Sequence, residues 1–287
     1  MNPAAMQLKA AINNYARANN IAAQVVLQNY MFERFLARLA RSPYKDHFLL
    51  KGGLLVATIV GLDARSTMDM DITLQHYPLD TETLRTAMSD IAAVPLDDGV
   101  SFRWVSAHPT RADDVYGGLS IRFDAMYEGI VTALSLDVTV GDAVESSTPY
   151  EFCGLFDDEL RFTLWGYSLE TILAEKMETI LRRGTLNTRP KDFYDVVALT
   201  RRPTPISEPR LAAALQATAE HRGSAYILRQ YPAILSLLAE DSTLKTRWQQ
   251  YAKTYPYAAA ISYEECMNSL RSLLQGLYEK IEDKPET

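Results

Sequence analysis

Cysteine is scarce: Cys153 and Cys266 are the only two in 287 residues, and they stand far apart. A disulfide scaffold is excluded on that count, and a reducing compartment, the cytoplasm, is expected. The four histidines, His47, His76, His108 and His221, are scattered without the spacing of a zinc site. No apolar run approaches the ~18 residues that a membrane span requires. The opening MNPAAMQLKAAINNYARANN lacks the apolar core of a signal peptide, so neither membrane insertion nor export is expected. G-x-x-x-x-G-K-[ST] is absent, which excludes a P-loop enzyme, and no G-x-S-x-G announces a serine nucleophile. Internal repeats and low-complexity tracts are missing too. Positive charge is in deficit, with a formal net charge of −7. That argues against a basic protein that coats nucleic acid, but leaves room for a local basic patch on a polyanion.

What is present is ordinary in bulk. Hydrophobic residues make up 47% and charged residues 23%, as in globular proteins, and the length suits one large domain or two closely packed ones. Residues 5–18 and 21–40 read as helices, the second with a clear apolar stripe. DHFLLKGG reads as a short strand ending in a Gly-Gly turn. LLVATIVG fits either a buried helix or a strand, because periodicity does not decide at that length. RSTMDMDITL reads as a strand and TETLRTAMSDIAA as a helix capped by Asp80 or Thr81. VSFRWVSA, LSIRFDAMY and TALSLDVTVGD alternate apolar and polar residues, the pattern of a sheet with one covered and one polar face. After about residue 150 the alternation is expected to give way to helices: SLETILAEKMETILRRG with a stop at Gly184, KDFYDVVALTRR behind Pro190, and further helices over 207–283 with breaks near Gly223, Asp241 and Pro256. Strands followed by helices predict an α+β core leading into a helical region.

The stretch RSTMDMDITL poses the chemical question. Asp69 and Asp71 fall on the same face of the expected strand, roughly 7 Å apart, and two anions so close repel unless a cation joins them. The bland reading is a solvated edge; the sharp one is a divalent metal site. Asp137, on the polar side of TALSLDVTVGD, would share their face. Three carboxylates on one face suit two-metal phosphoryl or nucleotidyl transfer with magnesium, which takes oxygen ligands and keeps several waters. Gly52 and Gly53 would let backbone N–H groups approach a phosphate at a helix start, or else make a plain tight turn. Lys51 and Arg65 flank that region and, considered alone, read as surface charges. Lys176 is more informative. With Leu169 at zero on a helical wheel it falls at about 340°, in the middle of the apolar stripe. A lysine there either snorkels or meets a buried anion, for which a triphosphate is the expectation. Asp192 and Asp195 share one helix face near its start, where acids favour the macrodipole. Arg182, Arg183, Arg189, Lys191, Arg201 and Arg202 cluster around them, as a solvated face or as a grip on phosphates.

The ordered series LKGG, RSTMDMDITL, LDVTVGD, LAEKMETIL and RPKDFYDVVAL resembles the AbiEii-type toxins, nucleotidyltransferases of the polymerase-β-like superfamily found in bacterial toxin–antitoxin and phage-defence operons. The resemblance spans about residues 48–200. It implies a polymerase-β-like core, a mixed sheet with helices on one face, followed by a helical C-terminal domain. The expected division is 1–42 as N-terminal helices packing on the core, 43–150 as the sheet domain, and 151–287 as a helical domain completing the active site. By resemblance, Gly52 and Gly53 hold the triphosphate, with Lys51, Arg65 and Thr67 beside them. Asp69 and Asp71 are the metal-binding acids. Asp137 is the third ligand or the base, with Asp142 as its rival. Lys176 faces the phosphates or the attacking group, and Arg189, Lys191, Asp192 and Asp195 make up the last motif, in which Asp192 ranks first. Met70 stands where isoleucine is usual, and Pro190 lies inside the last motif.

The resemblance further implies Mg²⁺, as two ions, an NTP substrate, and transfer of NMP to an RNA acceptor, the tRNA 3′ end, with pyrophosphate released and growth arrested. The implied partner is an antitoxin encoded alongside, which need not form a stable complex. Two alternatives remain open: transfer of NMP to a protein side chain, and a nucleotide-binding regulator without turnover.

Overall fold

The computed structural model describes residues 2–110 and 117–282, so residue 283, the end of the expected helical stretch, lies outside the described residues. Ten helices and seven strands follow in chain order among those residues. α1 (Pro3–Ala18) begins where the Asn2 side chain accepts the N–H of Ala4, with Pro3 in the first turn. α2 (Ala23–Leu39) follows. β1 (Phe48–Lys51) runs straight into α3 (Gly52–Val60), which settles LLVATIVG as a helix. β2 (Met70–Leu74) is next, then α4 (Thr81–Ala93), whose Asp80 cap accepts the N–H of Thr83. Then come β3 (Ser101–Pro109), β4 (Gly118–Tyr127), β5 (Ile130–Val140), β6 (Ser147–Cys153) and β7 (Arg161–Tyr167).

The seven strands form one mixed sheet in the order β3-β4-β5-β2-β1-β7-β6. β1 pairs antiparallel with β2 and parallel with β7, while β2 and β5 are parallel and the β3-β4-β5 run is antiparallel. Alternation puts Ile121 and Phe123 of β4 and Leu134, Leu136 and Val138 of β5 on a covered face. There they join Phe32, Phe35 and Leu36 of α2 in one apolar cluster. Arg122 and Asp124 of β4 and Asp137 of β5 take the opposite, open face. A buried ion pair also ties α2 down: Arg38 reaches both oxygens of Asp98 at 2.8 and 2.7 Å and the carbonyl of Val100 at 2.7 Å.

The chain divides into two units, Met1–Asp142 with Ser147–Gly166, and Ala143–Ser146 with Tyr167–Thr287. This corrects the expectation that strands end near residue 150. Phe162 and Leu164 are buried and alternate with exposed Arg161 and Thr163, so the pattern continues through β7. The acidic run Asp157, Asp158 and Glu159 breaks it in the sequence. Moreover, β7 is held by a distant parallel pairing, Leu50 with Gly166, that local periodicity does not reveal.

The second unit is helical. It contains α5 (Leu169–Arg183), α6 (Pro190–Thr200), α7 (Glu208–His221), α8 (Tyr226–Glu240), α9 (Ser242–Thr254) and α10 (Tyr263–Glu282). Ser168 caps α5 by accepting the N–H of Thr171, and Gly184 ends it at φ +51°, a conformation glycine adopts without a Cβ penalty.

Candidate active site

In the first unit the site grows from the register of three strands. Lys51 of β1 stands opposite Asp71 of β2, Asp71 opposite Asp137 of β5, and Asp137 opposite Ser120 of β4. In-register residues on neighbouring strands point to the same face, so Asp71 and Asp137 lie side by side. Both are half-buried. Asp69 is different. The strand begins only at Met70, and Asp69 is exposed in the irregular segment ahead of it. The expected strand from Arg65 is thus shortened, because Thr67 turns inward instead: its Oγ1 accepts the N–H of Asp69 at 3.4 Å.

The glycine turn packs against these acids. Gly52 has φ +65°, and a Cβ there would sit 1.9 Å from Asp71 Oδ2. The Gly53 N–H donates to that oxygen at 3.4 Å. A Cβ on Gly53 would meet Thr67 Oγ1 at 2.8 Å and Arg65 Nη2 at 3.6 Å. Glycine is therefore required by close approach as well as by φ. The positive dipole end of α3 opens at the carboxylate pair, its Gly53 N–H already directed at Asp71.

Lys51 and Arg65 do not behave as surface charges. Arg65 is buried, and its Nη1 donates to the carbonyl of Ser66. Lys51 Nζ donates to Asp142 Oδ2 and to Thr139 Oγ1, both at 2.6 Å. Asp142 Oδ2 also accepts from Thr73 and Thr139, at 2.5 and 2.6 Å. Burial by itself would raise the Asp142 carboxyl; the Lys51 ammonium and these hydrogen bonds outweigh it and hold the group down at about 2. Asp142 is therefore engaged as the counter-ion of Lys51, whereas Asp137 stands in register with Asp71. The Thr73 and Thr139 contacts escaped the sequence reading, since they depend on cross-strand register.

In the second unit Lys176 is buried, as its place in the apolar stripe predicts. In the structure it meets a pair of carboxylates, Asp192 Oδ1 at 2.8 Å and Asp195 Oδ2 at 2.9 Å. Burial would lower the Lys176 ammonium; Asp195 and then Asp192 more than offset that and raise it. Arg189, at the start of α6, adds Nε to Asp192 Oδ2 at 2.9 Å. Lys191 follows in the first turn of that helix, half-buried. Of the surrounding arginines, Arg182 pairs with Glu178 at 2.7 Å and Arg201 with Glu265. Sequence reasoning missed the fully buried Glu178, which also accepts from Arg222 at 2.5 Å and Ser224 at 2.8 Å. On the helical wheel Glu178 falls opposite the apolar stripe, so periodicity carried no signal of its burial.

A glycine turn abutting strand-borne carboxylates in a mixed sheet, with a helical unit after it in the chain, is the arrangement that the resemblance to nucleotidyltransferases implies. The family model described as nucleotidyl transferase AbiEii toxin, type IV TA system, matches residues 34–269, and the chain belongs to that family. Among solved structures, JHP933 of Helicobacter pylori is similar at TM-score 0.47 and 16% identity, over 91% of this chain and 94% of that one. An antigenic nucleotidyltransferase-like protein of Paracoccidioides brasiliensis is similar at TM-score 0.43 and 18% identity, over 72% and 91%. No curated protein matches the chain in sequence.

Magnesium is the metal the family implies. Among the described residues no group of three or more His, Cys, Asp or Glu side chains is placed to hold a metal ion, so Asp69 does not join Asp71 and Asp137 as a preformed three-carboxylate set. The donors on offer are the in-register oxygens of Asp71 and Asp137, with Asp69 two residues upstream. An all-oxygen set of this size fits magnesium, which completes its shell with water and substrate phosphates. Among the described residues no helix is long and apolar enough to cross a membrane.

Proposed function

We propose that this chain is a magnesium-dependent enzyme of the cytoplasm that moves a nucleoside monophosphate from an NTP onto a hydroxyl of RNA, with the tRNA 3′ end as acceptor. The acceptor hydroxyl attacks the α-phosphorus in line, a new P–O bond forms, the bond to the bridging oxygen breaks, and pyrophosphate leaves. Asp69 and Asp71 would hold the metal, and Asp137 would serve as its third ligand or as the base that takes the hydroxyl proton. Magnesium, when bound, neutralises charge on the phosphates. The Gly52-Gly53 turn admits the triphosphate to the α3 N-terminus. The product is an RNA blocked for further use, which accounts for growth arrest, for the toxin role and for a place in phage defence. The partner would be an antitoxin encoded alongside, with no stable complex required.

The observation that carries this reading is the register pairing of Asp71 with Asp137 beside a turn that only glycine fits. The test is incubation with each labelled NTP and Mg²⁺, with bulk tRNA in one arm and total protein in the other. Label on tRNA is expected, and Asp71→Asn and Asp69→Ala should each lower it by at least about 100-fold while circular dichroism is unchanged. Label on protein alone, or retained nucleotide without transfer, would overturn the RNA acceptor.

A further inference from the structure

Much of the positive charge in the helical unit is already matched. Arg182, Arg189, Arg201 and Arg222 each pair with a carboxylate of the same unit. A further group of cations lies between α9 and α10, where a cavity of about 780 Å³ opens. Lys245, Gln249 and Lys253 recur at four-residue spacing along α9, so they form one stripe. Asn268 and Arg271 line the opposite wall on α10, with Arg271 Nη1 donating to Asn268 Oδ1 at 2.9 Å. Both lysines are exposed, and neither makes an ion pair among the described residues. Glu264 is the one carboxylate among the described lining residues. In a chain of net charge −7, three cations facing one acid make a local field of the opposite sign.

The floor decides what could lie there. Its large side chains are closed off: Trp248 is 3% exposed, Ile261 6%, Tyr263 8% and Met267 2%. Their polar edges are taken as well, Trp248 Nε1 donating to the carbonyl of Ile261 and the Tyr263 hydroxyl to that of Leu238. The ring faces of Trp248 and Tyr263 are not open for a base to stack on. The charged and polar groups the groove presents are the Lys245 and Lys253 ammoniums, the Arg271 guanidinium, the Gln249 and Asn268 amides, the Ser262 hydroxyl and the single Glu264 carboxylate. That set contacts sugar and phosphate and carries no sequence information.

We propose that the α9–α10 groove binds the phosphodiester backbone of the RNA acceptor, a site separate from the carboxylate pair; this rests on RNA being the acceptor. The test measures equilibrium binding of fluorescein-labelled bulk tRNA to the full chain across a salt series, without NTP. The triple variant Lys245→Gln, Lys253→Gln, Arg271→Gln should bind about tenfold more weakly or worse. Its log–log salt slope should be shallower by about 2, at roughly 0.7–0.9 per lost phosphate contact. The substituted side chains are not part of the apolar interior, and an unchanged melting temperature is expected to accompany the loss. Equal affinity and equal slope would overturn the proposal. So would tighter binding of polyglutamate than of tRNA, lost in the same variant, which would assign the groove to an acidic polypeptide. The two readings fail separately. A chain that transfers nothing to RNA yet binds tRNA through these residues sinks the transfer reading alone. A variant that labels tRNA with unchanged KM sinks the groove alone.

Discussion

Gly52 is the most constrained position in the first unit. It combines φ +65° with an approach to Asp71 Oδ2 that leaves no room for a methyl group. Gly52→Ala should therefore push Asp71 out of register with Asp137 and adopt a strained backbone, costing about 1–3 kcal/mol in stability. Labelling of the acceptor should fall by at least about tenfold, and urea titration beside the transfer assay reads both effects. Glu33 gives a second prediction at this scale. Burial pushes its carboxyl up to about 7 from an ordinary 4.5, only partly offset by Arg34 and by the Leu155 N–H. The folded protein thus binds this proton more tightly than the unfolded chain does. Stability from this group is fully present below about pH 4.5 and is lost as pH rises through about 7. Glu33→Gln, whose amide oxygen still accepts from Leu155, should flatten that slope. Melting at about pH 5 and about pH 8 should show the variant gaining on the wild type at the higher pH, by an amount on the order of 1–3 kcal/mol. Equal pH dependence in the two proteins would refute the assignment.

At the scale of elements, α5 and α6 are fastened by one buried lysine between two aspartates. Lys176→Met would leave Asp192 and Asp195 buried with their shared counter-ion gone, and removing one partner of such a cluster costs about 3–5 kcal/mol. Adding Asp192→Asn and Asp195→Asn to that variant should recover part of the loss; no recovery in urea melts would mean that the lysine acts through packing alone. The lysine itself was legible in the sequence, because a helical wheel puts it in the apolar stripe. Its partners were legible only as a helix-face pair. The strand elements divide in the same way. β3, β4 and β5 were readable by alternation, as were the caps at Asp80 and Gly184. β7 was not, because what holds it is a parallel pairing to β1. The D-x-D spacing was visible, yet Thr67 draws the chain inward and starts the strand one residue after Asp69. Short-range spacing records which faces residues share; it does not record where a ladder begins.

For the whole molecule, the two units each bury their own apolar side chains. Heating should then produce more than one transition, with a calorimetric enthalpy exceeding the van't Hoff value. Lys176→Met should lower one transition and leave the other in place; a single cooperative transition shifted as a block would contradict this. The family and the α+β class were legible because motif order survives where no single motif is specific. The unit boundary was not, since a chain that leaves a sheet and returns to it looks, residue by residue, like one that has left for good. The Lys51–Asp142 tether has a practical corollary. Asp142 keeps its charge down to about pH 2, so its stabilising contribution, fully present above 3.8, is lost as pH falls from there through about 2. An acid quench at about pH 3 would silence ordinary carboxylate chemistry while this anchor beside the glycine turn is still ionised.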